Sequence, residues 1–196
     1  MGKIYVVMGK SASGKDTIYK RLVQDEMLSL KTVITYTTRP IRSGEIDGRE
    51  YYFVTEEEFE RLKKEGHMIE ARSYHTVHGI WHYFMADDGQ IDTKKSDYIV
   101  IDTLEGYEQI CAYYGSEAVI PLYIEVEDGI RLERALSRER VQKEPKYAEM
   151  CRRFLADDAD FSEENIKHAG ITKRYQNEEI KVCYEELKQD ILKNQA

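Results

Sequence analysis

The sequence predicts an α/β fold whose parallel sheet is covered by helices on both faces, and three observations carry that expectation. An unbroken apolar run, Ile4-Tyr5-Val6-Val7-Met8, leads into a loop containing Gly9 and Gly14, then into an amphipathic stretch, Ile18-Tyr19-Lys20-Arg21-Leu22-Val23. Two further apolar segments, 97–102 and 119–126, come later, with stretches of helical period after each. Strands buried on both faces lose the in–out alternation of half-exposed strands, and parallel neighbours need a crossover long enough to hold a helix.

In chain order, the first strand is 4–8, and the helix after the loop runs to about residue 28. Residues 33–38 are rich in β-branched side chains and predict a second strand. A polar stretch turning at Gly44 and Gly48 precedes a strand at 50–54. Thr55-Glu56-Glu57-Glu58 fits a capping box, so a helix extends from there to about Glu65, before Gly66. Strands at 68–74 and 77–84 complete a sheet-rich insertion. Asp97-Tyr98-Ile99-Val100-Ile101-Asp102 resumes the alternation as an apolar strand ending in a carboxylate. A helix to about Tyr114 and the strand 119–126 follow, then helices at about 128–140, 148–160 and 178–193. Ligands bind at the carboxyl ends of such strands, where Gly9–Lys15 and Asp102 both fall.

The 196 residues suffice for one sizeable core with a small insertion or lid. A net charge of −8 disfavours a general nucleic-acid or anionic-membrane binder, but leaves room for a local basic pocket. No apolar run approaches the roughly 20 residues of a membrane span, and the chain enters a strand without a signal-like stretch, so a cytoplasmic location is expected. Cys111, Cys151 and Cys183 are isolated, odd in number and read as reduced thiols. His75, His78 and His82 do not share a strand face and carry no expected metal site.

The loop carries the clearest chemistry. Gly9-Lys10-Ser11-Ala12-Ser13-Gly14-Lys15-Asp16-Thr17 is a Gly-x-x-x-x-Gly-Lys phosphate-binding loop between a strand and a helix. Gly9 and Gly14 let the N–H groups converge on phosphate oxygens, the helix dipole adds to that field, and Lys15 reaches the terminal phosphates. The motif places Ser or Thr after the lysine as a Mg²⁺ ligand. Here Asp16 stands there, followed by Thr17. Asp16 is therefore either a hard oxygen ligand for Mg²⁺ or only a favourable acid in the first helical turn.

A second block runs Thr37-Thr38-Arg39-Pro40-Ile41-Arg42-Ser43-Gly44-Glu45, then Asp47-Gly48 and Tyr51-Tyr52-Phe53. Its arginines either clamp a phosphate dianion or belong to a solvated, charged loop. Together with the phosphate-binding loop, this block resembles the guanylate kinase family, which carries Thr-Thr-Arg-x-x-Arg-x-Gly-Glu and Gly-x-x-Tyr-x-Phe at this distance.

The resemblance covers nearly the whole chain. It implies a P-loop core (about 1–34, 95–126 and 160–196), a nucleoside-monophosphate-binding insertion (about 35–94) and a helical lid (about 127–159). It implies that Arg39, Arg42 and Tyr51, with Thr35 and Glu45, hold the acceptor phosphate, and that Glu70 reads the two donors of guanine. It implies that Arg134, Arg138 and Arg153 act with Lys15 and Arg39 on the transferring group, and that Asn177 lines the adenine pocket. The expected reaction is Mg²⁺-dependent transfer from ATP to GMP or dGMP by a monomer or homodimer.

Two departures qualify the match. His78-Gly79-Ile80 stands where the family has Tyr-Gly-Ser/Thr, so His78 replaces a phosphate-binding tyrosine and Ile80 a base-reading hydroxyl. Asp102 lies one residue out of step with the family's Asp-x-Gln-Gly. A different acceptor, another nucleoside monophosphate or a phosphorylated sugar, is the nearest alternative. A non-catalytic interaction module of the same fold is the other, although such modules typically lack loop and lid residues that Gly9, Gly14, Lys15, Arg134 and Arg138 supply here.

Overall fold

The structure, a computed structural model, describes residues 2–76 and 79–195. Its main sheet has five parallel strands in the order β2 (Lys31–Thr32), β7 (Tyr98–Ile101), β1 (Ile4–Met8), β8 (Val119–Glu125) and β9 (Arg174–Gln176). Every residue of β1 is inaccessible to water, which explains its lack of alternation. Alternate residues nonetheless serve different cores. Ile4, Val6 and Met8 pack with Val100, Leu104 and Ile110 on the face of α3 (Leu104–Tyr114). Tyr5 and Val7 pack with Ile18, Leu22, Leu187 and Ile191 on the face of α1 (Lys15–Gln24) and α7 (Ile180–Gln195).

A second sheet, in the order β4 (Tyr52–Phe53), β3 (Tyr36–Thr37), β6 (Gly79–Ala86) and β5 (Met68–Thr76), carries α2 (Glu56–Lys64). The Thr55 hydroxyl caps α2 by accepting from Glu58 N at 3.3 Å, as the capping pattern predicts. Phe59 and Phe84 form this sheet's own small core.

In place of the expected strand 33–38 stand two short strands in different sheets, β2 ending at Thr32 and β3 covering only Tyr36–Thr37. Val33 N still donates to Ile99 O in the main sheet, at 3.3 Å, but the chain then crosses to the second sheet. At the crossing Gln90 stands in for a strand neighbour: its Oε1 accepts from Ile34 N (2.9 Å) and its Nε2 donates to Ile34 O (3.1 Å). Local periodicity does not say which sheet a residue joins. The first helix ends at Gln24, short of 28, and the strand at 50–54 narrows to Tyr52–Phe53. The sequence reading missed α6 (Glu163–His168) and β9; Ser162 before two glutamates was the available signal for α6, and its hydroxyl accepts from Asn165 N. The helical hairpin α4 (Asp128–Arg140) and α5 (Tyr147–Asp160) completes the fold.

Candidate active site

Between β1 and α1 the chain curls through the predicted loop. Gly9 (φ 155°) and Gly14 (φ 86°) adopt backbone angles that disfavour side chains, and a Cβ on Gly9 would overlap Ile124 O. Ala12 also takes a positive φ, 63°. Ser13 is buried, and Asn177 braces the loop from outside by donating from Nδ2 to Ser13 O at 2.7 Å. Lys15 stands at the start of α1 with Asp16 beside it, Nζ to Oδ2 3.9 Å, and both Asp16 and Thr17 are exposed.

From the second sheet, Thr35, Arg42 and Tyr51 line a cleft of about 530 Å³ whose opposite wall holds Gly9, Ser11 and Lys15. Arg39 lies behind this surface. Its guanidinium is buried, gives Glu45 two hydrogen bonds (2.7 and 2.6 Å) and lies over the rings of Tyr51 and Phe53. Glu45 also accepts from Arg42 N at 2.8 Å, and the Arg39 pairing holds its carboxyl at about 2. Glu45 thus ties together the two arginines of the block, leaving Arg42 as the one that faces the cleft.

The third group was only partly foreseen. Glu70 and Asp102 come from adjoining sheets, and both side chains are fully buried. Arg72 lies between them. Its Nε donates to Glu70 Oε2 at 3.0 Å, its Nη2 pairs with Asp102 Oδ1 at 2.9 Å, and its Nη1 reaches Thr103 Oγ1 at 3.3 Å. Burial, then the Asp102 charge, push the Glu70 carboxyl up to about 7 against the pull of Arg72; burial raises Asp102 as well. Asp102 Oδ2 is buried without a hydrogen-bond partner among the described residues. Arg72, Tyr74 and Asp102 line the cleft, whereas Glu70 meets it through Arg72. Arg72 sits two residues beyond Glu70 on the same strand face; that spacing was the signal that the sequence reading passed over.

The hairpin α4–α5 closes the remaining side. Arg153 and Arg152 face the cleft and share Glu149, which they hold at about 2. Arg138 lines a neighbouring hollow with Arg153, and Arg134 donates from Nη2 to the carbonyls of Asn177 (3.0 Å) and Glu178 (3.2 Å). The most buried arginine, Arg131, had not been singled out. It pairs with Asp128 (2.8 Å) and Asp158 (3.2 Å), and Lys10 of the loop pairs with Asp158 (2.7 Å). Asp157 Oδ2 accepts from Ser11 N at 2.6 Å, so the hairpin's acids grip the loop.

The expected role of His78 falls outside the described residues. Ile80 is half exposed, and His82 is occupied by Ser73 at Nδ1 (2.7 Å) and Glu56 at Nε2 (2.9 Å). Among the described residues no cluster of three His, Cys, Asp or Glu could hold a metal by itself. No described helix is long and apolar enough to cross a membrane.

The loop, the arginine-bearing sheet and the hairpin thus converge on one cleft at the strand ends. Comparison with known proteins matches residues 1–193 to the family described as "Guanylate kinase". The chain is 41% identical over 73 residues to the guanylate kinase of Oceanobacillus iheyensis, an alignment spanning 37% of this chain and 35% of that protein. It also resembles the crystal structure of guanylate kinase from Anaplasma phagocytophilum. That match has a TM-score of 0.62 and 24% identity over 99% of this chain and 86% of the other, a likeness of fold.

Proposed function

The chain belongs to the guanylate kinase family, and from that premise we propose that it transfers the γ-phosphoryl group of ATP to GMP or dGMP. The observation that carries this reading is the single cleft shared by Lys15 and the loop on one side and Arg42 and Tyr51 on the other. A donor triphosphate lies on the loop N–H groups and an acceptor phosphate against Arg42 and Tyr51, which brings the reacting oxygens into line. The attacking phosphate oxygen is already anionic, so no strong general base is needed. Catalysis is then positioning and charge neutralisation: Lys15 acts from the loop, Arg138 and Arg153 from the hairpin, and Arg39 by holding Tyr51 and Glu45 in place. Arg134 and Asn177, joined by a hydrogen bond, frame the adenine end.

Asp16 suits Mg²⁺, because that ion is usually held by one or two carboxylates, substrate phosphates and water, and this side chain stands exposed beside Lys15. Bound there, the ion would neutralise phosphate charge. The proposed reaction draws on ATP and nucleoside monophosphates, and the cytoplasm, which holds both, is the proposed location.

Mg²⁺-dependent ADP formation from ATP, with GMP, dGMP, AMP, CMP and UMP offered separately, tests the reading. Turnover confined to the guanine nucleotides is expected. No ADP with GMP would overturn it, and turnover of another acceptor in its place would transfer the reaction to that acceptor.

A further inference from the structure

Ser73, His82 and Glu56 form a hydrogen-bonded chain on the face of the second sheet that carries α2, away from the cleft. Ser73 Oγ lies 2.7 Å from His82 Nδ1, and His82 Nε2 lies 2.9 Å from Glu56 Oε1. Ser73 and His82 are register partners on β5 and β6, and Glu56 stands in the first turn of α2. A carboxylate only accepts, so Nε2 carries the ring proton and Nδ1 keeps its lone pair for the Ser73 hydroxyl. The imidazole is held in that pose, buried and stacked on Phe59 with ring centroids 4.0 Å apart. Ser73, by contrast, is exposed. A reachable hydroxyl on a base that a third group orients is the arrangement of an activated nucleophile.

The backbone adds a donor for the charge such a nucleophile creates. β5 is an edge strand of its sheet. At His82 both backbone groups of β6 turn to its other neighbour, the N–H to Thr38 Oγ1 (2.9 Å) and the C=O to Thr38 N (3.0 Å). Ser73 opposite is therefore in a non-hydrogen-bonded pair, and its own N–H points out of the open edge. Ala71, two residues earlier, has the same orientation, its N–H donating to Gln109 Oε1 of α3 at 3.0 Å. The Ser73 N–H can thus donate to an oxyanion formed on a carbonyl attacked by Ser73 Oγ. Beside it lies a hollow of about 580 Å³ lined by Ser73, Arg72, Leu104, Glu105, Glu108 and Asp160. That volume suits a small organic molecule. Arg72 is already paired with Glu70 and Asp102, so the acids of the hollow favour a cationic or uncharged ligand over an anion.

We propose that this face carries a second activity, hydrolysis of small uncharged or cationic esters, with Ser73 as nucleophile, His82 as general base and Glu56 as a positioning residue. Ser73 Oγ bonds to the ester carbonyl carbon while its proton passes to His82 Nδ1, and Glu56 balances the imidazolium charge. The ester C–O bond then breaks, and the departing alcohol takes the proton from Nδ1. Water attacks the acyl-serine by the same route, giving a proton to Nδ1. Ser73 recovers that proton as the carboxylic acid is released. The proposal is independent of the phosphotransferase reading, because Arg72 and Tyr74, which line the cleft, lie on the opposite face of β5.

The test incubates the full chain with p-nitrophenyl acetate, follows nitrophenolate release and locates the acetyl group by peptide mass spectrometry. A burst of about one nitrophenolate per chain is expected, with the acetyl group on Ser73. Ser73→Ala should abolish both while leaving phosphoryl transfer to GMP unchanged. His82→Gln should slow the burst by about a hundredfold or more, the contribution of a positioned general base. Acetylthiocholine, a cationic ester, should be accelerated over its uncatalysed hydrolysis more than the anionic acetylsalicylate. No burst, a burst that persists in Ser73→Ala, acetyl groups on lysines alone or a greater acceleration of acetylsalicylate would each overturn the proposal. Loss of phosphoryl transfer in Ser73→Ala would assign Ser73 to the cleft and overturn the separate site. Ser73→Ala changes an exposed side chain, so it decides the matter even if His82→Gln fails to fold. A chain inactive on GMP would leave the ester result standing.

Discussion

Asn177 and Gly14 are matched across the phosphate-binding loop: the Asn177 Nδ2 that donates to Ser13 O at 2.7 Å occupies the space a Cβ on Gly14 would need. Gly14 also has φ 86°. Gly14→Ala therefore meets both left-handed strain and a buried amide. The expected cost is about 2 kcal/mol, from roughly 1–2 for the backbone plus a weakened hydrogen bond. Thermal melting should show a fall of about 4–8 °C for a chain of this size. Asn177→Ala should cost less in the Gly14→Ala background than alone, since the clash is then relieved. Simple additivity in that cycle would sink the steric explanation.

Among the described residues Lys15 makes one ion pair, a long one to exposed Asp16, so its charge is available to a ligand. Lys15→Ala should lower kcat by at least about a hundredfold, as loss of a preorganised charge at the reacting group does. Melting temperature should barely move. Unchanged turnover would remove the loop lysine from the mechanism.

Asp157 places a carboxylate on Ser11 N, one of the N–H groups of an anion-binding loop. A phosphate oxygen competes for that donor. Asp157→Ala should tighten ATP binding, measured by calorimetry without acceptor, by about three- to tenfold, less than a full charge-assisted hydrogen bond because water competes as well. Weaker binding in the variant would mean that Asp157 orders the loop for the nucleotide instead of blocking it.

Arg131 is almost wholly buried, while its partners Asp128 and Asp158 reach water. Arg131→Met should cost about 2 kcal/mol, below the 3–5 of a fully buried pair, because the acids left behind are partly solvated. The corresponding fall in melting temperature is about 4–8 °C. A neutral result would show that the acids rearrange without loss.

The Glu70 carboxyl is raised from 4.5 to about 7 by burial and by Asp102. A folded-state value above the unfolded one means that the native state binds the proton more tightly. That contribution favours folding at low pH and is lost as pH rises from the unfolded value through the folded one. Glu70→Gln has no such proton. Its melting temperature should therefore gain on the unaltered protein between pH 5 and 8, whatever the offset at pH 5. A constant difference across that range would contradict the shift.

The loop and the parallel core were legible in the sequence because their determinants are contiguous. Gly9, Gly14 and Lys15 act through local backbone geometry, and Ile4–Met8 advertises two-sided burial in its own composition. The Arg39–Tyr51 block was legible as a cluster, but not the pairing of Arg39 with Glu45 that leaves Arg42 facing the cleft. The crossing at Ile34 depended on Gln90, far along the chain.

What the sequence determined by itself was the glycine-rich loop between strand and helix, the covered parallel sheet and the arginine-bearing block that follows them. Only the tertiary structure decided which charges meet. Arg72 joins Glu70 to Asp102 because β5 packs against α3, just before whose start Asp102 stands, and Arg131 is buried because α4 and α5 fold against the loop. A backbone conformation is set by neighbours in sequence, whereas the partner of a buried charge is set by which elements exclude water around it, and that is a property of the assembled chain.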